Sequence, residues 1–312
     1  MKKILLSLIL WAFCIKLFAQ DPSFSQTYAN PLYLNPAYAG TDSVQRVCLN
    51  FRYQWPNIQG DFITYNASYD RMIIPNLSVG VIANQDITGQ NTLTTTTASL
   101  IVAYQLHIKS FTLSAAFQGA YRQLNLNTSN LYFGDDINPR RGFIYNTQES
   151  PVARTMVANP DFTAGILGYG KYYFAGFAID HLTQPDESFV EGTSVLPMKF
   201  IINAGGIIPV SGFTIYPTFL CQLQQNFNTE VAEVYLNKWH FTIGLGYRFG
   251  DAMIFALGFQ SKYVRIGYSY DYTTSSLTNQ ITGGSHEVSA AVLIPYKSEK
   301  FKKYPALKIP NF

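Results

Sequence analysis

The sequence predicts an all-β fold, a transmembrane antiparallel barrel of the outer-membrane kind with about 14 strands, entered through an irregular N-terminal segment. Three observations predict it. The chain opens with an export-type leader. It is poor in charge and rich in aromatics, with 13 % charged residues, 23 Phe and 22 Tyr, where a soluble domain carries about 25 % charged residues. Apolar and polar residues alternate with period two along most of its length. No stretch after the leader is continuously apolar over the roughly 20 residues that a membrane helix needs. A chain that enters lipid without such a helix must close its sheet, because lipid offers no partner for an open strand edge.

Residues 1–19 read as a signal peptide. Lys2 and Lys3 are followed by the apolar run Ile4–Ile15, and Ala19 precedes a cut at Gln20. Leu17 fits the minus-three position poorly, which shifts the cut by a residue or two. Phe13 before Cys14 argues against a lipoprotein signal. Loss of Lys2, Lys3 and Lys16 takes Lys plus Arg from 22 to 19, equal to the 19 acids. A neutral mature chain is not a nucleic-acid binder. Cys48 and Cys221 remain, without metal-like spacing and on separate strands, one facing inward and one facing lipid. Free thiols are expected.

Residues 20–43 form the irregular segment. Pro22, Pro31 and Pro36 break any single helix or strand. Phe24, Tyr28, Leu32, Tyr33, Leu34 and Tyr38 carry too much apolar surface for a solvated tail. The segment docks on something larger, either inside the barrel as a plug or beneath it as a periplasmic contact.

Residues 44–294 supply the barrel. Strands are expected near 44–55, 61–72, 76–86, 93–106, 109–125, 161–170, 172–181, 197–208, 212–224, 228–236, 238–248, 252–260, 262–271 and 284–294. Val47, Leu49, Phe51, Tyr53 and Trp55 alternate with Cys48, Asn50, Arg52 and Gln54, and Val264, Ile266, Tyr268 and Tyr270 alternate with Arg265, Gly267, Ser269 and Asp271. One face is oily and the other small or polar. Aromatics such as Trp55, Trp239 and Tyr270 sit near strand ends, as interface girdles require. The same alternation turns Arg46, Arg52, Asp70, Arg122, Lys199, Arg248, Arg265, Asp271 and Glu287 into the lumen, where they brace the barrel, or grip the segment or a client strand. Glu230 and Glu233 make 228–236 the weakest strand.

An even strand count puts both termini at one mouth, the periplasmic one. Short links at 73–75, 106–109, 170–171, 209–212, 237–238 and 260–262 belong to that side. The long ones at 126–160, 182–196 and 272–283 face outward. Residues 295–312 form a basic tail with Lys297, Lys300, Lys302, Lys303 and Lys308. It reads as a frayed terminus or a docking strip.

Nothing in the sequence carries catalysis. There is no phosphate loop and no G-x-S-x-G elbow. His107, His181, His240 and His286 lie on separate elements. Asp180 and His181 are strand neighbours on opposite faces, so one does not orient the other. Asp135, Asp136, Asp186 and His286 could meet at a rim, but no motif joins them. The expectation is no enzyme, no cofactor, no metal and no small-molecule substrate.

Particular motifs add a family likeness. Asp21-Pro22-x-Phe24-Ser25-Gln26, Asn30-Pro31-Leu32, Asn35-Pro36-Ala37-x-Ala39-Gly40 and Arg52-Tyr53-Gln54-Trp55 resemble the opening of the PorP/SprF family. Asn84-Gln85-Asp86, Asp180-His181-Leu182-x-Gln184-Pro185 and Gly267-Tyr268-Ser269-Tyr270-Asp271 look like later parts of it. The resemblance implies an outer-membrane component of the type IX secretion and gliding-motility system. It further implies partners: the C-terminal domain of a secreted, adhesin-like surface protein, and periplasmic components of the machinery. The residues it marks for partner or plug contact are Pro22, Phe24, Gln26, Asn30, Pro31, Asn35, Pro36, Gly40, Arg52 and Trp55. A porin-like diffusion channel is the alternative, and the two differ in whether the lumen is open.

Overall fold

The computed structural model describes residues 21–42, 44–60, 62–131, 137–138, 140–143, 154–296 and 306–307. The leader, Asp135, Asp136 and Lys297, Lys300, Lys302, Lys303 and Lys308 lie outside the described residues.

The chain forms a closed antiparallel barrel of fourteen strands. They are β1 (Val44–Gln54), β2 (Phe62–Ile74), β3 (Leu77–Thr88), β4 (Leu93–Ile108), β5 (Phe111–Leu126), β6 (Met156–Tyr169), β7 (Tyr173–Asp180) and β8 (Lys199–Gly206, resumed at Ile208–Val210). β9 (Phe213–Gln224), β10 (Phe227–Lys238), β11 (Phe241–Arg248), β12 (Ala252–Gln260), β13 (Val264–Thr273) and β14 (Ser285–Pro295) complete it. Each strand pairs with its sequence neighbours. β1 meets β14 from Val44↔Pro295 to Gln54↔Ser285 and so closes the sheet. Closure gives backbone groups in the barrel wall a partner on both sides, the condition for crossing lipid.

The mouth holding Val44 and Pro295 carries the tight turns. Asn76, Lys109 and Trp239 take positive φ there, the left-handed geometry that two-residue hairpins favour. The connections 127–155, 181–198 and 274–284 lie at the opposite mouth.

The outer surface is the oily face. Leu100 is 69 % exposed and Leu257 59 %, whereas their neighbours Ile101 and Ala256 are buried. A sheet that leaves such side chains bare on one side is solvated by lipid.

Several expectations change. β6 starts at Met156, so Asn159-Pro160 belongs to a strand and not to a loop. Pro160 lies beyond the end of the β6–β7 pairing at Ala164↔Ile179, where a missing N–H breaks no bond to β7. Trp55 follows the end of β1, and Trp239 sits in the β10–β11 turn at 77 % exposure. The charged strand is β10 at full length, with Glu233 inward and buried beside Tyr235. The lumen face is also not uniformly small or polar. Ile101, Phe174, Ile201, Leu220, Val231 and Ile254 point inward and are buried. Their partner is the N-terminal segment.

Candidate functional site: a plugged lumen

Residues 21–42 thread the barrel. A 3₁₀ turn (Thr27–Ala29), one helical turn (Pro31–Leu34) and a second 3₁₀ turn (Pro36–Tyr38) fold the segment compactly. Pro31 and Pro36 each begin a turn, where the missing N–H has no bond to lose. Tyr28, Leu32, Leu34, Ala37, Tyr38 and Ala39 share one apolar core with the inward residues of the strands. The sequence left plug and periplasmic contact open; the structure places the segment in the lumen.

At the tight-turn mouth Gly40 has φ +67, and a Cβ there would overlap the Ser78 hydroxyl. Its N–H donates to Asp70 (2.7 Å), which is held by Arg46 (3.0 Å). Arg265 meets Asp42 at 3.4 Å. Part of the C-terminal tail closes this end. The Leu307 N–H donates to the Thr41 carbonyl (2.9 Å), and the Leu307 side chain is buried in the core. Tyr296 accepts the Met72 N–H at 2.6 Å.

Midway, Asn35 clamps the segment to the wall. Its Nδ2 donates to the carbonyls of Ile166 (3.0 Å) and Phe177 (3.3 Å), while Oδ1 accepts the Ala37 N–H (2.9 Å). Gly165 permits this approach, since a Cβ there would overlap the Asn35 carboxamide. Ser114 donates to the Ala37 carbonyl (2.8 Å) and Gln105 to that of Ala39 (3.1 Å). Asn30 is buried, and neither end of its carboxamide has a hydrogen-bond partner among the described residues.

Farther along, four buried charges close on Ser25. Arg52 and Arg248 both donate to its Oγ (2.7 Å each), and Oγ donates to Asp271 (2.6 Å). The Ser25 and Gln26 N–H groups donate to Glu287 at 2.7 and 3.1 Å. Arg52 pairs with Asp271 (2.8 Å) and Glu287 (3.3 Å), and Arg248 with Asp271 (3.0 Å). Gln26 completes the lock through Ser289 (2.6 Å) and the Glu287 carbonyl (3.0 Å). Two arginines and two carboxylates leave no net charge, so the cluster survives burial through mutual pairing and through the hydrogen bonds of the plug. Phe24 packs edge-on against Tyr33 at 5.0 Å, and the Tyr33 hydroxyl donates to the Pro22 carbonyl (2.6 Å).

Asp21 ends the described segment, tied to side chains at the long-loop ends of β5 to β9. His181 reaches it through Nε2 (2.6 Å), while the histidine Nδ1 reaches Asp161 (2.6 Å). Lys199 (3.4 Å) and Arg122 (3.5 Å) complete the knot, and they hold Asp180 (3.2 Å) and Glu187 (2.6 Å) in turn. With a carboxylate on each ring nitrogen, both nitrogens donate and the ring is an imidazolium. Burial opposes that charge, but Asp21 and Asp161 hold His181 up to about 9. Burial would raise Asp21, yet His181, Lys199 and Arg122 keep it well below the ordinary carboxylate range. His181 leaves the strand geometry at φ +59 to enter this knot.

The structure therefore brings most of the marked residues together along one path through the barrel. Arg46, Asp70, Arg122, Lys199, Arg248, Arg265, Asp271 and Glu287 are all on the inner face. Trp55 stands at the rim, edge-on to Phe62 at 5.7 Å. Sequence reasoning missed Asp161 and His181. It also placed both termini at one mouth: Val44 and Pro295 share a mouth, but Asp21 lies at the other because the segment crosses the lumen. Cys48 is buried and Cys221 half-exposed, and both are free. Among the described residues no group of side chains could hold a metal ion.

Comparisons with known proteins were made on this fold. The barrel is similar to the P. putida toluene transporter TodX, with a TM-score of 0.50 and 9 % identity over 85 % of this chain and 93 % of that one. It is also similar to the Acinetobacter baumannii outer membrane protein Omp33, with a TM-score of 0.45 and 9 % identity over 82 % of this chain and 100 % of that one. At such identity the likeness shows the fold alone. No curated protein matches the sequence. The family model described as "Type IX secretion system membrane protein PorP/SprF" matches residues 16–292.

Proposed function

The chain belongs to the PorP/SprF family of type IX secretion membrane proteins, and from that premise we propose that it is a closed outer-membrane platform. In this reading it is not an enzyme. Its long-loop mouth faces the cell exterior and its tight turns face the periplasm, following the habit of membrane barrels. It binds the C-terminal domain of a secreted, adhesin-like protein for export and surface attachment, and periplasmic components of the machinery meet the tight-turn mouth.

The observation that carries this reading is the plug. A segment that shares the barrel's core, and is held at its middle and both ends, does not belong to an open pore. That weakens the diffusion-channel alternative. Docking by strand addition has no free edge inside a closed sheet, so the client is received at the rim and by the loops. Affinity purification of the tagged protein from native outer membranes tests the reading. A large secreted protein with its C-terminal domain protected from proteolysis supports it. A barrel recovered alone that conducts small ions overturns it.

A further inference from the structure

The plug does not fill the lumen evenly. It shares its apolar core with inward residues of β3, β4, β6 to β10 and β12, and toward the long-loop mouth it leaves a cavity of about 560 Å³ with β2 to β5 as its far wall. The lining runs from Leu32 and Ile82 at its floor to Trp55, Phe62 and Thr88 at the long-loop rim. Its volume lies in the usual range for small-molecule sites.

The chemistry of the wall narrows the ligand. β2 to β5 contribute the hydroxyls of Thr64, Thr95 and Thr97, the amides of Asn84 and Gln118, the carboxylate of Asp86 and the guanidinium of Arg122, which Asp21 and Glu187 pair. The Thr97 hydroxyl is buried without a hydrogen-bond partner among the described residues. A hydrocarbon would strip water from these groups and return no bond. Asp86 accepts from Thr64 (2.7 Å) and Thr88 (3.2 Å) and has no ion-pair partner among the described residues, whereas Arg122, His181 and Lys199 in the lining are each already paired with carboxylates, so the wall offers an anion no unpaired cation among the described residues. β3 and β4 pair on both flanks, and no backbone edge is open to a peptide strand. A neutral polyhydroxylated ligand satisfies all three limits. Its hydroxyls bond to Thr95, Asn84 and Gln118, and Asp86 accepts charge-assisted hydrogen bonds. Its apolar ring faces rest on Trp55 and Phe62, which stand edge-to-face, and on Tyr33 across the cavity.

We infer that this vestibule is a binding site for a short neutral oligosaccharide, entered from the long-loop mouth between the plug and β2 to β5.

Trp55 reports on the site. In the mature protein with Trp239→Phe it is the one remaining tryptophan, because Trp11 lies in the leader. Maltotriose, mannotriose and triacetylchitotriose are titrated into the detergent-solubilised full barrel while Trp55 emission is followed. Trilysine, trigalacturonate and toluene serve as competing chemistries. At least one neutral trisaccharide is expected to shift the emission saturably. Asp86→Asn and Thr95→Val should each weaken that binding about fivefold or more, the worth of one lost hydrogen bond. Both variants are checked for the folded, heat-modifiable band before titration. The inference is overturned if no neutral trisaccharide saturates below about 10 mM. It is equally overturned if trilysine, trigalacturonate or toluene binds in their place, or if both folded variants bind as the parent does.

Discussion

Gly165→Ala tests how the plug is held. The new Cβ would overlap the Asn35 Oδ1 and come within 3.1 Å of its Cγ and 3.2 Å of the Pro36 Cδ. Neither neighbour retreats freely. Asn35 is fixed by two wall carbonyls and the Ala37 N–H, and Pro36 is a rigid ring. If the carboxamide swings away it forfeits three hydrogen bonds, at about 1 kcal/mol each. If the backbone shifts instead, overpacking costs about 1–3 kcal/mol. Either route weakens docking by about 1–3 kcal/mol, roughly 5- to 150-fold in the undocked population. The assay is the frequency of transient openings in planar bilayers, with heat modifiability confirming that the barrel is folded. Asn35→Gly removes the nearer obstacle and leaves only the Pro36 contact, so adding Gly165→Ala to it should cost clearly less than it costs in the parent. The reasoning fails if Gly165→Ala opens no more often than the parent, or if it is as harmful beside Asn35→Gly as without it.

Other perturbations follow from the same geometry. Arg52→Ala leaves Glu287 without its cation and Asp271 with Arg248 alone, and should destabilise the barrel by about 3–5 kcal/mol, seen as loss of the heat-modifiable form at lower temperature. The Asp21 knot is pH-dependent with a defined sign. The raised pKa of His181 contributes stability in full below its ordinary value, and that contribution is lost as pH rises through about 9. The lowered pKa of Asp21 contributes above the ordinary carboxylate value and is lost as pH falls through its folded value. Maleimide labelling of Ser23→Cys, divided by the rate of a free thiol at the same pH to remove thiolate ionisation, should therefore be slowest in mildly acidic buffer and quicken toward pH 9, and His181→Gln should abolish that residual rise. Leu257→Arg on the lipid face should cost about 2–4 kcal/mol in bilayer folding titrations. Thiol titration of denatured, unreduced mature protein should find both Cys48 and Cys221, whereas Cys48 stays unreactive in the folded barrel.

The barrel was legible because lipid imposes a strict rule. Alternation in Val47–Trp55 and in Val264–Asp271 sorts every residue to one face, and the charges on the polar face fall inward without further information. Strand ends were less legible. Trp239 is aromatic and apolar, yet a hairpin with positive φ takes it out of the strand. The plug was half legible. Three prolines and six large apolar residues require docking, but they do not say on which surface. The missing signal lay in the strands that are apolar on both faces. Leu100-Ile101-Val102, Phe200-Ile201-Ile202 and Met253-Ile254-Phe255 have one face for lipid and need a second apolar partner inside. The threonines and asparagines toward the long-loop ends of β2 to β4 mark the unfilled cavity by the same logic. The knot at Asp21 was hidden because it joins residues from five distant elements, and because His181 leaves strand geometry where alternation no longer applies.

The central claim is that residues 21–42 cross the lumen and bring Asp21 to the outer mouth. It is tested most directly by labelling Ser23→Cys on intact cells with a membrane-impermeant maleimide, after Cys48 and Cys221 are replaced by Ala and Ser. The account predicts labelling from outside without permeabilisation, with Leu32→Cys in the same background unlabelled. Labelling of Ser23→Cys only after the outer membrane is opened would place the segment beneath the barrel and contradict the plug.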